Sequence, residues 1–275
     1  MRFTQAYTAS PVCSPTRASL LTGKYPARIG VTDWIPGDYW PGLEYECPPT
    51  KQFLGLEEVT YAEAFHDVGY RTAHVGKWHL GTRPYFPDKQ GFDLNIGGSA
   101  NGHPPAGYFS PYKLPEITDG PKGEYLTDRL TTEACKIIRD AAAAHVPFLL
   151  DFWQYAVHVP IDPKSEKVQK YREKGRDEMS AMYAAMLESL DEGVGAVLKQ
   201  LDDSGLSQNT LVIFSSDNGG SYQATENWPL RGYKAQLYEG GIRVPLIVRW
   251  PGVVKPDSET AAPVISPDFY PTFLE

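Results

Sequence analysis

The chain has 275 residues, 41% of them apolar and including 17 Tyr and 6 Trp, enough to bury a substantial core as one large domain and to exclude a disordered segment. A net charge of -8 gives no support to a nucleic-acid surface, although local cations still decide the field inside any one cleft. Three cysteines, Cys13, Cys47 and Cys135, are too few for a disulfide-built scaffold, and no run is long and apolar enough for a membrane span.

Near the start, Ser14 as cap, Pro15 at the first helical position and Gly23 as stop predict a helix of about two turns. Cys13 then stands just before the helix, where unpaired N–H groups and the dipole favour an anion. Arg17, one turn in, adds a planar cation suited to an oxyanion. Residues 24–56 are rich in Pro, Gly and aromatics and read as an ordered surface loop. Trp34, Tyr39 and Trp40 within it suit either a wall for a sugar ring or packing onto the domain.

Val59 to Val68 is predicted as a short amphipathic helix closed by Gly69, followed by a strand over Tyr70–Val75. If the chain stays extended beyond it, Lys77 and His79 point to one side. Residues 82–121 lack periodicity and read as a substrate-side insertion that contains His103. Thr127 is the expected cap of a helix to about His145, with Leu130, Ala134, Ile137 and Ala141 on one stripe.

Pro147–Tyr155 is a continuous apolar run, as in the middle of a covered sheet, and His158 lies just past it, where open α/β sheets place ligands. The longest predicted helix, Asp177–Leu201, carries Met186, Leu190, Val194 and Val197 on the face expected to meet the sheet. Its Gly193 and Gly195 point to close packing there. Thr210–Ser216 is the clearest strand and ends in Asp217-Asn218-Gly219-Gly220, whose two oxygen-bearing side chains suit a hard cation. Leu246–Trp250 is another buried strand.

The run Pro11-Val12-Cys13-Ser14-Pro15-Thr16-Arg17 through Gly23 resembles the first signature of the type I sulfatases, and Gly69-Tyr70-Arg71 through Lys77-Trp78-His79-Leu80-Gly81 resembles the second. His158-Val159-Pro160, Asp217-Asn218-Gly219 and Leu230–Pro245 with Lys234 extend the likeness over nearly the whole chain. The resemblance implies an α/β, alkaline-phosphatase-like layered domain with a largely parallel or mixed central sheet. Because Met1 falls inside the segment that precedes the cysteine in that family, the first strand is expected to be missing, and residues 1–275 to be a catalytic-domain fragment without the C-terminal subdomain.

The implied activity is hydrolysis of a sulfate monoester on a sulfated carbohydrate or an aryl sulfate. Formylglycine derived from Cys13 would supply the nucleophile, made by a formylglycine-generating or anaerobic maturation enzyme. Asp217, Asn218 and the Cys13-derived group would hold Ca²⁺, with Mg²⁺ as the alternative. Arg17 would lower the cost of the attacking oxyanion, Lys77 and Lys234 would hold the sulfate oxygens, His79 would accept a proton in sulfate release, and His158 with Lys234 would protonate the leaving alcohol. The full-length protein is expected to be periplasmic or secreted, although this chain shows no signal peptide. Two further readings stand beside this one: a phosphoester hydrolase of the same superfamily, and an inactive remnant that binds carbohydrate.

Overall fold

The computed structural model describes residues 1–37, 42, 44–45 and 48–275; Tyr39, Trp40 and Cys47 lie outside the described residues. Its strands are β1 (Arg2–Phe3), β2 (Ala6–Tyr7), β3 (Arg71–Gly76), β4 (Leu94–Ile96), β5 (Phe148–Trp153), β6 (Val212–Phe214), β7 (Leu246–Arg249), β8 (Glu259–Thr260) and β9 (Val264–Ile265). Its helices are α1 (Cys13–Thr22), α2 (Pro26–Ile29), α3 (Tyr61–Asp67), α4 (Leu126–Ala144), α5 (Ser165–Arg172), α6 (Glu178–Asp203), α7 (Glu239–Ile242) and α8 (Phe269–Leu274).

Strands alternating with helices give a layered α/β domain, with the parallel and antiparallel pairings shared between sheets. One sheet is parallel throughout, in the order β4-β3-β5, and β3 runs beside β5 from Arg71↔Phe148 to Gly76↔Trp153. A second sheet is mixed, in the order β6-β7-β1-β8, and β2 pairs with β9. The parallel and mixed sheets in a layered α/β domain agree with the alkaline-phosphatase-like architecture that the sequence resemblance implies.

The two faces of β3 are covered from opposite sides. Ala18 and Leu21 of α1 join Tyr61, Trp78, Leu80 and Phe92 in one buried cluster, while Ala73 and Val75 pack with Leu126, Leu130 and Ile137 of α4 in another. The α4 stripe is buried as its period requires.

Several local expectations are corrected. α1 starts at Cys13 with Val12 as its cap, so Cys13 is the first helical residue and not the one before it. Ser14 does not cap because its hydroxyl donates to the His79 carbonyl at 2.9 Å and accepts from the Ile35 N–H at 3.0 Å. Likewise Thr127 lies inside α4, whose cap is Tyr125; the Thr127 carbonyl accepts from Thr131. β5 forms an edge of its sheet, with five of its six residues only half-buried, because β3 holds the central place.

α6 packs on α4 and α5 instead of on a sheet, which leaves Leu190, Val194 and Val197 half-buried and Met179 exposed. Gly193 does mark close packing, since a Cβ there would lie 2.6 Å from Thr131 Oγ1, but nothing lies within 4 Å of a Cβ at Gly195. The 82–121 segment is not wholly irregular: it contains β4, whose three residues are too few to show a period.

Candidate active site

The site begins at the first turn of α1, where Cys13 is 2% exposed and Arg17 follows one turn later on the same buried helix. A left-handed Gly23 ends the helix by donating its N–H to the Ser19 carbonyl, the local reason a Gly is needed there. Arg17 is held from three directions. Its Nε lies 2.9 Å and its Nη2 2.8 Å from Asp217 Oδ2, its Nη1 donates to the Lys77 carbonyl at 2.6 Å, and its guanidinium lies 4.9 Å over the Trp153 ring.

The end of β3 brings in the next two groups. Gly76 has φ 107°, and a Cβ there would sit 2.1 Å from the Trp153 carbonyl oxygen, so the turn out of β3 requires glycine. Beyond it Lys77 is buried, with Nζ 3.7 Å from Asp217 Oδ2. Burial lowers the Lys77 ammonium from its ordinary value, the Cys13 and Asp217 charges oppose that, and Arg17 and Lys234 add to it.

His79 is also buried, but the extended spacing that would align it with Lys77 is broken, since His79 has φ 63°. Its ring is fixed by Nε2 donating to the Ile35 carbonyl, and this leaves Nδ1 as a buried acceptor with no partner among the described residues. Burial, then Lys77, push the imidazole down to about 3, so it is neutral at neutral pH. One stretch whose role sequence reasoning missed, Ser99 to Gly102, packs on His79. The His79 N–H donates to the Ser99 carbonyl at 2.9 Å, and a Cβ on Gly102 would lie 2.5 Å from His79 Cε1. A glycine-rich stretch inside an apparent insertion was the only available signal.

His158 and Lys234 meet on another side of the site. Lys234 Nζ lies 3.0 Å from His158 Nε2, and His158 Nδ1 lies 3.2 Å from the Val159 carbonyl. Burial, followed by Lys77 and Lys234, lowers His158 to about 3. Lys234 is placed by its own backbone, with its N–H donating to Gly220 O and the next N–H, of Ala235, donating to Pro11 O, both at 3.0 Å.

Asp217 and Asn218 follow β6. Burial alone would raise the Asp217 carboxyl, but Arg17, Lys77 and Lys234 hold it well below the usual carboxylate range. Asn218 Nδ2 donates to Gly219 O at 3.0 Å, whereas its buried Oδ1 has no partner among the described residues. An orphaned amide oxygen beside an ionised carboxylate is a donor set that fits Ca²⁺ or Mg²⁺. No group of three or more His, Cys, Asp or Glu comes together among the described residues, so these two make up only part of a cation shell. A Cβ on Gly219 would lie 1.8 Å from the Gly240 carbonyl, which explains the glycine after Asn218.

The eight candidate catalytic and metal residues are thus drawn to one region, through the Arg17–Asp217–Lys77 contacts, the His158–Lys234 contact, the field at Lys77 shared by Cys13 and His79, and the place of Asn218 next to Asp217. The charge-bearing layer beneath them was not foreseen. Asp151 on β5 is buried and accepts from Tyr61 Oη at 2.6 Å, and burial, opposed by that bond and by Arg17, pushes its carboxyl up to about 7. Its position inside an apolar run gave no hint of this role.

Buried Arg17, Lys77 and His79 and half-buried His158 and Lys234 lie around a helix-start cysteine, a set of groups suited to an anionic ligand. The chain belongs to the sulfatase family, whose family model matches residues 1–275. It is 33% identical over its whole length to the uncharacterized sulfatase YdeN of Escherichia coli, covering 51% of that protein. To the ulvan-active sulfatase of Formosa agariphila it is 32% identical, with 100% of this chain and 54% of the relative aligned. Among solved structures, that of Ps i-CgsB in complex with k-i-k-neocarrahexaose superposes with a TM-score of 0.84 and 30% identity, over 99% of this chain and 62% of the other. The chain therefore spans about half the length of the curated relatives it matches.

No helix among the described residues is long and apolar enough to cross a membrane.

Proposed function

We propose that the chain is the core of an enzyme that hydrolyses sulfate monoesters on carbohydrates. The observation that carries this reading is the convergence of Arg17, Lys77 and Lys234 with His79 and His158 at the first turn of α1, where Cys13 sits. The names of the ulvan-active sulfatase and of the oligosaccharide complex support a sugar as the alcohol.

Formylglycine derived from Cys13 supplies a hydrated aldehyde as nucleophile in this reading, and a divalent cation held by Asp217, Asn218 and that group supplies positive charge beside it. The chain's own residues do the rest. Arg17 fixes Asp217 and adds a buried cation next to Cys13. Lys77, which is buried, and half-buried Lys234 bind sulfate oxygens, where preorganised charge acts on charge that develops during reaction. His79, with its Nε2 proton committed to Ile35, offers Nδ1 as proton acceptor.

Lys234 carries the proton of the His158–Lys234 pair and delivers it to the leaving oxygen, while neutral His158 orients the ammonium. This shifts the acid role from the histidine to the lysine. A maturation enzyme and an extracytoplasmic setting belong to the same proposal.

The test is peptide mass spectrometry of Cys13 after expression with a formylglycine-generating enzyme, followed by assay on a panel of sulfated oligosaccharides and phosphomonoesters. Conversion of Cys13 together with sulfate release supports the reading; phosphate release without conversion supports a phosphoesterase instead.

A further inference from the structure

His103 lies in the 82–121 segment, and its neighbour Gly102 packs directly on the His79 ring. The loop thus passes from one histidine of the site to the other. The His103 and His158 rings are 6.3 Å apart, centroid to centroid, with planes within 13° of parallel.

The two imidazoles differ in what their nitrogens can do. Both nitrogens of His158 are engaged inside the protein, by Lys234 and by the Val159 carbonyl. His103 is exposed, and no hydrogen bond among the described residues uses either of its nitrogens. Beside the His158–Lys234 pair, His103 is therefore the imidazole whose nitrogens have no partner among the described residues. A neutral imidazole carries one donor and one acceptor, a set that matches the hydroxyl of a sugar ring.

We propose that His103 is a substrate-binding residue that hydrogen-bonds a hydroxyl of the sugar next to the sulfated carbon, and so helps to distinguish sugar sulfates from simple aryl sulfates. This rests on the sulfatase reading and names the part of the substrate that the histidine meets. Gly102 serves the same arrangement, since any side chain there would press into His79 and displace the loop. A short backbone link thus couples the reacting side of the site to the recognition side.

The experiment compares His103→Phe, which keeps a ring beside His158 but removes both nitrogens, with His103→Asn, which restores a short donor and acceptor. Each is made in the full chain, with Cys13 converted for kinetics and replaced by Ala for binding. With a sulfated oligosaccharide, His103→Phe is expected to raise the calorimetric Kd and the KM about tenfold, the loss of one or two substrate hydrogen bonds, and His103→Asn to recover part of it. Turnover of 4-nitrophenyl sulfate, which has no neighbouring hydroxyl, is expected to stay within about twofold of the parent, well inside the energy of one hydrogen bond.

An unchanged Kd in His103→Phe overturns the proposal, as does an equal fall in kcat on both substrates, which would mean that His103 acts through His158. Failure of the converted parent to hydrolyse either sulfate ester overturns the sulfatase reading itself, and the Kd comparison still reports on His103 separately.

Discussion

Lys234 Nζ sits 3.0 Å from the ring nitrogen His158 Nε2, and since the lysine can only donate, the histidine accepts and carries its own proton on Nδ1 toward the Val159 carbonyl. The pair therefore arrives at the substrate with one transferable proton, on the lysine. Lys234→Ala is expected to slow hydrolysis of sugar sulfates by about 10²- to 10⁴-fold, the usual worth of a general acid. Sulfates of acidic phenols, whose leaving groups need little protonation, should be affected far less. Measuring kcat/KM across leaving groups of graded acidity checks this, and a uniform loss would assign Lys234 to sulfate binding alone.

The double grip of Arg17 on Asp217 makes Asp217→Asn a stability mutation as well as a functional one. Removing the carboxylate leaves Arg17 and Lys77 buried without their counter-charge, at an expected cost of about 3 kcal/mol. Because the folded Asp217 carboxyl is held well below its ordinary value, its contribution is present above the unfolded value of about 3.9 and fades only as pH falls toward the folded one. Urea denaturation of parent and variant at pH 7 should differ by that amount, and the gap should narrow only in strong acid.

Asp151 gives the opposite slope. Its carboxyl is pushed up to about 7 in the folded chain, so the folded state holds a proton that the unfolded state releases near pH 4. Stability from this group is full below about pH 4 and is lost as pH rises through about 7, by on the order of 4 kcal/mol. Asp151→Asn, which can still accept from Tyr61 Oη, should flatten stability between pH 4 and 7. An unaltered slope in urea midpoints would remove Asp151 as its source.

Gly76→Ala tests how firmly Lys77 is placed. With φ 107° and the Trp153 carbonyl 2.1 Å from the new Cβ, strand β3 must separate from β5 at its end. The expected loss is about 3 kcal/mol or more, beyond the ordinary cost of overpacking because backbone cannot rotate away as a side chain does. Thermal unfolding checks the magnitude, and sulfate affinity should fall with it as Lys77 shifts.

Asp217 and Asn218 supply two protein oxygens, against the six to eight that Ca²⁺ takes. Calcium titration of this chain by calorimetry is expected to give a Kd of roughly millimolar, at the weak end of protein sites. Asn218→Ala should abolish the heat altogether, since Oδ1 is the buried oxygen without another partner. Micromolar binding would mean that further ligands are present.

Residue chemistry was more legible than local geometry. Cys13, Arg17, Lys77 and Lys234 could be singled out because their neighbours are distinctive, and β3 because Tyr70–Val75 follows the Gly69 helix stop. Ser14 misled because a hydroxyl able to cap a helix was claimed by two distant segments, His79 and Ile35. The Lys77–His79 pair was legible through its signature run, whereas the same-side alignment expected of an extended chain fails because His79 is left-handed. β4 escaped because three residues carry no period, and the edge position of β5 because strand order is set by partners far along the chain. Asp151 and Gly102 look like ordinary core and loop residues until the chain is folded around them.

The 2% exposure of Cys13 also sets a clock. Arg17 and Asp217 are 200 residues apart in sequence, and closing so large a loop carries an entropy cost that slows formation of the contact. In the proposed function, an enzyme that converts Cys13 would have to reach it while α1 is still unpacked, so conversion would compete with folding. Pulse-labelled chains offered the converting enzyme before and after refolding should therefore differ in conversion, and faster-folding variants should emerge less completely matured.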